Sequence, residues 1–387
     1  MLCLPTNSWA TCNTSTLVTT ADSASVQACV NAATAGQTVT VTAGSATWSS
    51  TVSITAKGIT VIVQAGATVT ITNTAAPAFQ INNTGTAFVR ISGFSITSSD
   101  SIGEVIEING PASGVRIDHM TLDGGDAVIC SNCLGNSGTG PVTGVVDSSH
   151  FSNCGRCYFA QDVRTSDSTV GTAAWNEFLG HEATFPGSNK FMFFEDNTFT
   201  WTRTVSGGQG PLYGQYGGKA VFRHNSFTNW SYYADSHGDL PSGGYGTIMY
   251  EIYNNTFSEG DLYLAQGVMM YLRGGQHLVH DNTFNTTNDF PVSLTVYYST
   301  DLIAHRIKNT FVWNNVWNAN GVNQGAATQV QVASDTNGTL TLNTNYFLRA
   351  PQAGDIYYPY TPYTYPHPLR GTSTTLMPPT GLTASVQ

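Results

Sequence analysis

Apolar positions in this chain recur on two scales. Locally they alternate with polar ones: Val39 and Val41, Val52 and Ile54, Ile59, Val61 and Val63, Val69 and Ile71, with Gly44, Gly58 and Gly66 between the runs. Short alternating runs bounded by glycine predict short strands and tight turns. At longer range a signature returns. Glu195-Asp196-Asn197-Thr198-Phe199 is echoed by Arg223-His224-Asn225-Ser226-Phe227, Tyr253-Asn254-Asn255-Thr256-Phe257, His280-Asp281-Asn282-Thr283-Phe284 and Trp313-Asn314-Asn315-Val316-Trp317, with the asparagines 28, 30, 27 and 33 residues apart. Ile96, Leu122, Phe151, Phe178, Phe199, Phe227, Phe257 and Phe284 keep a similar beat. A repeat of roughly 20–50 residues marks a solenoid, propeller or array. Three short strands and three turns fill such a repeat, whereas a propeller blade needs about 40–45 residues. The reading is all-β: a right-handed parallel β-helix, in which each Asn points inward at a turn and bonds the equivalent Asn one coil away, about 4.8 Å off.

The ends read differently. Residues 1–21 are irregular. Val26, Cys29, Val30 and Ala33 stand at helical spacing behind Asp22 or Ser23, so 22–34 is expected to be an N-terminal capping helix. The β-helix is expected to run over 22–350. Residues 351–387 read as an extended tail, because prolines at 359, 362, 366 and 368 exclude a central strand. The tail is expected to lie against its own solenoid or a neighbouring chain, and self-association through it is one expectation.

Composition narrows the function. Charged residues make up 10% of the chain and the net charge is −10, against about 25% charged in a typical soluble protein. An acidic, charge-poor surface excludes nucleic acid as a partner. No apolar run is long enough to span a membrane. Met1-Leu2-Cys3-Leu4-Pro5 does not read as a signal peptide, yet a secreted or extracellular protein is expected.

The Asn serves as a ruler. Two residues before it, Glu195, Arg223, Tyr253, His280 and Trp313 should face outward, as a solvated ladder or a ligand-facing wall. Nine residues before it stand Tyr216 and Arg273, and His237 joins them once an insertion, 239–246, is allowed for. Trp201, Arg203, Tyr213, Trp230, Tyr232, Tyr233, Asp235, Asp239 and Tyr245 cluster in the long loops nearby, and long loops on a rigid scaffold are where function concentrates. Cys130-Ser131-Asn132-Cys133 and Cys154-Gly155-Arg156-Cys157 lie about one coil apart. That spacing suits cross-coil disulfides, a structural Zn²⁺ or free thiols.

Arg116-Ile117-Asp118-His119-Met120-Thr121-Leu122-Asp123 resembles the W-I-D-H stretch of pectate-lyase-like β-helix proteins. With the Asn-x-Phe ladder and the helical start, the resemblance covers roughly residues 22–350. The Arg-His-Asn-x-Phe, His-Gly and Arg-Gly-Gly elements also resemble uncharacterised β-helix-repeat proteins of bacterial secretomes. The family cleaves acidic polysaccharides by β-elimination, usually with Ca²⁺ and an Arg or Lys base. The resemblance therefore implies a polysaccharide partner and Ca²⁺ as cofactor, for which Asp118, Asp123, Asp126 and Asp147 are the candidates.

In a lyase, His237 would serve as base, Arg273 would hold the uronate carboxylate, and Tyr216 would protonate the leaving oxygen. Trp201, Arg203, Tyr213, Arg223, Asp235, Tyr245 and His280 would bind substrate. Two alternatives stand beside this one. A glycoside hydrolase would need a carboxylate pair, Glu195 with Glu251 or Asp235 with Asp239. A non-catalytic structural or adhesive protein, such as a filament subunit, would account for the low charge and the Pro/Tyr tail.

Overall fold

The computed structural model describes residues 11–74, 77–98, 104–124, 132–203, 210–230, 232–260, 267–287, 289–296, 301–319, 322–325, 329–333 and 338–371. These residues are mostly β, in long parallel sheets. The chain passes repeatedly through three ladders in fixed order. Lys219–Arg223 lies in the first, Ser226–Thr228 in the second and Ala234–Ser236 in the third; Met249–Tyr253 then returns to the first. Each strand pairs in parallel with its counterpart one pass on: Arg223 with Tyr253, Phe227 with Phe257, Asp235 with Tyr271. Strand period 2 then fixes every side chain as inward or outward.

The repeat signature has the anticipated physical basis. Asp196, His224, Asn254, Asp281 and Asn314 each adopt left-handed backbone, with φ between 52° and 58°, which turns the chain sharply and points the next Asn inward. Asn197 Nδ2 donates to Asn225 Oδ1 at 3.1 Å, Asn225 to Asn255 at 3.0 Å, Asn255 to Asn282 at 3.0 Å and Asn282 to Asn315 at 3.0 Å. Each oxygen also accepts the backbone N–H of the previous Asn. The buried amides are thereby satisfied, avoiding a cost of about 1–3 kcal/mol per orphaned group. Two residues on, Phe151, Phe199, Phe227, Phe257 and Phe284 stack at 4.6–5.0 Å, each worth about 1.5–3 kcal/mol of apolar burial. Phe178 does not belong to this stack. Phe151 pairs directly with Phe199, and the residues between form one long excursion.

The helix α1 covers Ser23–Ala32; Asp22 accepts from the Ser25 N–H at 2.8 Å, and Val26, Cys29 and Val30 are buried. A disulfide joins Cys29 to Cys12, and a second joins Cys133 to Cys154 across adjacent passes, with Cα atoms 5.6 Å apart. Cys157 is free and buried, while Cys3 and Cys130 lie outside the described residues. With two of its four thiols oxidised together, the CxxC pair of motifs does not form the Zn²⁺ site that its spacing allowed.

The excursion after residue 160 contains a second helix, α2 (Thr172–Phe178), which strand periodicity did not anticipate. Trp175, Phe178 and Phe185 from this segment lie on the outer face of the first ladder, where Val145, Phe193, Val221, Leu278 and Phe311 point outward, and form a second apolar core. The tail completes the cover. Residues 350–371 run back over this face as a strap. Tyr357 Oη meets Gln276, Tyr360 Oη donates to Glu251 at 2.6 Å, and His367 N–H donates to Glu195 at 3.0 Å. Arg370 then pairs with Glu195 and with Asp147 at 3.0 and 3.2 Å, and its carbonyl accepts from Arg116. Residues 372–387 lie outside the described part.

The strap overturns one expectation. Glu195 and Arg223 do not form a solvated ladder: both are fully buried. Arg223 bonds Glu195, the Tyr253 hydroxyl at 2.8 Å and the strap carbonyls of Tyr363 and Thr364. His280 is sandwiched between Tyr253 and Trp313 at 4.7 and 4.1 Å, with the Tyr360 ring edge-on to it. Neither Arg223 nor His280 can meet a ligand while the strap is docked.

Candidate functional site

With the first ladder covered over the passes from Val145 to Phe311, chemistry outside the coil is sought on the third. Its outward register runs Phe159, Tyr213, Asp235, Tyr271, Ser293. The residue after each strand forms a second outward row. His237 N–H bonds the Gly214 carbonyl, Arg273 N–H that of Ser236, and Gln215 N–H that of Ala160, so Gln215, His237 and Arg273 share a register. Tyr216 does not. Counting back from the Asn aligns Tyr216 with Arg273, but its turn holds one extra residue. Tyr216 is that residue, in left-handed backbone (φ 50°). Its ring lies over Gly244 in the insertion, where even a Cβ would come within 2.5 Å of it.

Arg273 is bidentate on Asp235, at 2.8 and 2.5 Å. A second guanidinium, that of Arg156, lies over the rings of Phe159 and Tyr213 at 4.6 and 4.2 Å. His237 is 6.0 Å from the Tyr213 ring, centre to centre, and its Nδ1 is 3.0 Å from the Gly238 carbonyl. A carbonyl only accepts, so Nδ1 carries the proton; in the neutral ring Nε2 is then the basic atom. Burial, with help from Arg273 and Arg156, lowers the His237 pKa to about 4, which keeps the ring neutral at pH 7. Burial raises the Tyr213 and Tyr232 hydroxyls, with Asp235 adding to both shifts. It also raises Asp235, against the pull of Arg273 and Arg156. Two guanidiniums thus flank one carboxylate, a locally cationic spot on a chain of net charge −10.

The other candidates fall elsewhere. Trp201 is buried in the interior against Trp230, 5.0 Å away, and so cannot face a glycan; Arg203 lies 5.5 Å from its ring. Tyr245 packs edge-on against His305 at 4.4 Å. His305 is bonded through Nδ1 to both carboxylate oxygens of Asp239 and stacks on Trp175 at 3.9 Å, so this His–Asp pair pins the insertion to α2. Arg156, Phe159 and Tyr271 were not singled out from the sequence. Arg156 sits inside a CxxC motif read only for its thiols, and the other two emerge only when passes are aligned on the third ladder.

The carboxylates proposed for Ca²⁺ do not fit that ion. Asp118 is bonded by Arg90 at two 2.6 Å contacts and by His119, and Asp147 is bidentate with Arg116. Asp123 accepts from Ser152 and Asn153, and Asp126 lies outside the described residues. Guanidinium groups already neutralise two of the charges a cation would need. The hydrolase pairs fare no better: Glu195 and Glu251 are under the strap, Asp235 is held by Arg273 and Asp239 by His305.

Among the helices of the described residues, none is long and apolar enough to cross a membrane. No protein-family model and no curated protein sequence matches the chain.

Proposed function

We propose that the chain is a secreted right-handed parallel β-helix, capped at its start by α1, that binds an acidic polysaccharide along the outer face of the third ladder and cleaves it by β-elimination. The observation that carries the reading is the convergence of a neutral imidazole, two guanidiniums and aromatic rings on the outward side of the third ladder, where Arg156, Phe159 and Tyr271 are partly exposed and Tyr213, Asp235, His237 and Arg273 are buried. His237 Nε2 is the base for the C5 proton. Arg156, whose guanidinium lies over the Phe159 and Tyr213 rings, is assigned the uronate carboxylate, and Arg273, bidentate on Asp235, the role of holding Asp235 in place. Bringing a carboxylate to Arg156 offsets part of the positive field that weakens His237 as a base, so substrate raises its basicity at the moment of need. Tyr213, kept protonated, is the donor to the leaving oxygen in place of Tyr216. The two disulfides support an oxidising, extracellular location.

Incubation with a panel of uronate polysaccharides is expected to release unsaturated uronate, read by its ultraviolet absorbance. His237→Ala should abolish the signal. Arg156→Ala should raise KM more than it lowers kcat. No absorbance change across the panel would reject the lyase reading. A filament subunit assembling through residues 350–371 is disfavoured, because that segment is docked on its own chain.

A further inference from the structure

The second ladder offers a different chemistry. Its outward hydroxyl row runs Thr198, Ser226, Thr256, Thr283 in parallel register. Where this row meets the turns of the Asn ladder, Asp196, His224 and Asn254 join Thr198, Ser226 and Thr256 in lining an open groove of about 470 Å³. Beside it the strap presents Tyr365, a ring 43% exposed. The ring is held in place: it stacks on His224 at 3.9 Å, the Arg223 guanidinium lies 5.3 Å from its centre, and its hydroxyl donates to both Asp196 oxygens at 2.8 and 3.1 Å. Asp196 is further neutralised by Arg370, and burial lowers the His224 pKa. The groove therefore holds no uncompensated charge, in contrast to the cationic third ladder.

We propose that this groove, with Tyr365 as its stacking platform, binds an extended uncharged polysaccharide lying along the stack. A rigid half-exposed aromatic ring beside exposed hydroxyls and an amide suits a sugar, whose C–H face packs on the ring while its hydroxyls bond the polar row. The strands recur every 4.7–4.9 Å or so, close to the advance of one extended hexose unit, so successive sugars meet successive passes. The absence of net charge selects a neutral chain. The inference is independent of the elimination chemistry assigned to the third ladder, since it uses other residues on another face.

Affinity electrophoresis of the full chain through gels containing a β-1,4-linked xylan, a β-1,4-linked mannan or hydroxyethyl cellulose tests this. Retardation by at least one of them is expected. Tyr365→Ala should weaken it about tenfold or more, and Tyr365→Phe should retain it because the ring remains. Ser226→Ala combined with Thr256→Val removes two exposed hydroxyls without touching the strap and should also weaken retardation. His237→Ala should leave it unchanged. The proposal fails if the wild type is unretarded in all three gels, if Tyr365→Ala or the double variant migrates like wild type, or if His237→Ala abolishes retardation.

Discussion

Two buried titrating groups hold the strap, and their pH dependences oppose each other. Glu251 accepts from Tyr360 Oη at 2.6 Å and from the Gly187 N–H at 2.9 Å. Burial raises its pKa from 4.5 to about 7, against the pull of Tyr360, Gly187 and Arg223. The folded state therefore holds a proton that the unfolded chain gives up. The contribution is fully present below pH 4.5 and lost as pH rises to 7. His367 is the reverse case. Burial, reinforced by Arg223 and Arg370 and opposed by Glu195, lowers its pKa from 6.5 to about 4. Its contribution is fully present above pH 6.5 and lost as pH falls to 4. Each displacement is about 2.5 units, or on the order of 3 kcal/mol. Across pH 4–7 the contributions of these two groups run in opposite directions.

Single substitutions should unmask the two halves. Other groups titrate in the same range, so the informative quantity is the difference in unfolding free energy between variant and wild type at each pH. Packing and hydrogen bonds removed along with the side chain shift that difference by a constant; only the missing titration gives it a slope. For His367→Gln the difference should move in the variant's favour by roughly 2–4 kcal/mol between pH 6.5 and 4. For Glu251→Gln it should move in the variant's favour by a similar amount between pH 4.5 and 7. Urea unfolding followed by circular dichroism at half-unit steps measures both. Flat differences for the two variants, or slopes of the same sign, would refute the account of opposed anchors.

Four further outcomes follow from the packing. Arg223→Ala leaves buried Glu195 with Arg370 as its remaining guanidinium partner and removes the bonds to the Tyr363 and Thr364 carbonyls, and should cost about 2–4 kcal/mol in unfolding experiments. Replacing both residues by apolar ones, Arg223→Met with Glu195→Leu, should recover much of that loss in a double-mutant cycle. Asn225→Ala removes one rung of the amide ladder and should cost roughly 1–3 kcal/mol. The strap should also be released by Gly187→Ala: a Cβ there would sit 2.0 Å from the Thr361 carbonyl oxygen, at φ 71°. Faster amide exchange at 357–370 would report release, with the three ladders unchanged.

How far the fold could be read depended on whether its cause was local or distant. Asn197, Asn225, Asn255, Asn282 and Asn315 announce themselves because one turn geometry demands one residue type at each pass. Phe199, Phe227, Phe257 and Phe284 follow from the same turn. Phe178 misled because an apolar residue at a plausible interval carries no sign of whether its neighbours form a strand or α2. Glu195 and Arg223 were placed correctly as outward neighbours, yet their environment was not legible: what buries them, Tyr363 to Arg370, lies about 140–175 residues away in sequence. Periodicity fixes which way a side chain points and says nothing of what lies across from it.

The same limit explains why Tyr216 was grouped with His237 and Arg273 while Arg156 was passed over. A ruler anchored on the Asn is accurate through the strand it touches and loses register at the next turn of variable length. Between the third and first ladders the turn holds one extra residue at Tyr216 and a longer insertion at 239–246, so the third ladder needs its own ruler. Aligned on Tyr213, Asp235 and Tyr271, the passes bring Phe159 into the same row and Arg156 over it. The three outer faces then separate by chemistry. The first is apolar and ionic and is sealed by α2 and the strap. The second is a neutral hydroxyl surface. The third gathers a neutral imidazole and two guanidiniums around one carboxylate, which is why a reaction on an acidic polymer is assigned there and not on the ladder that the repeat signature first points to.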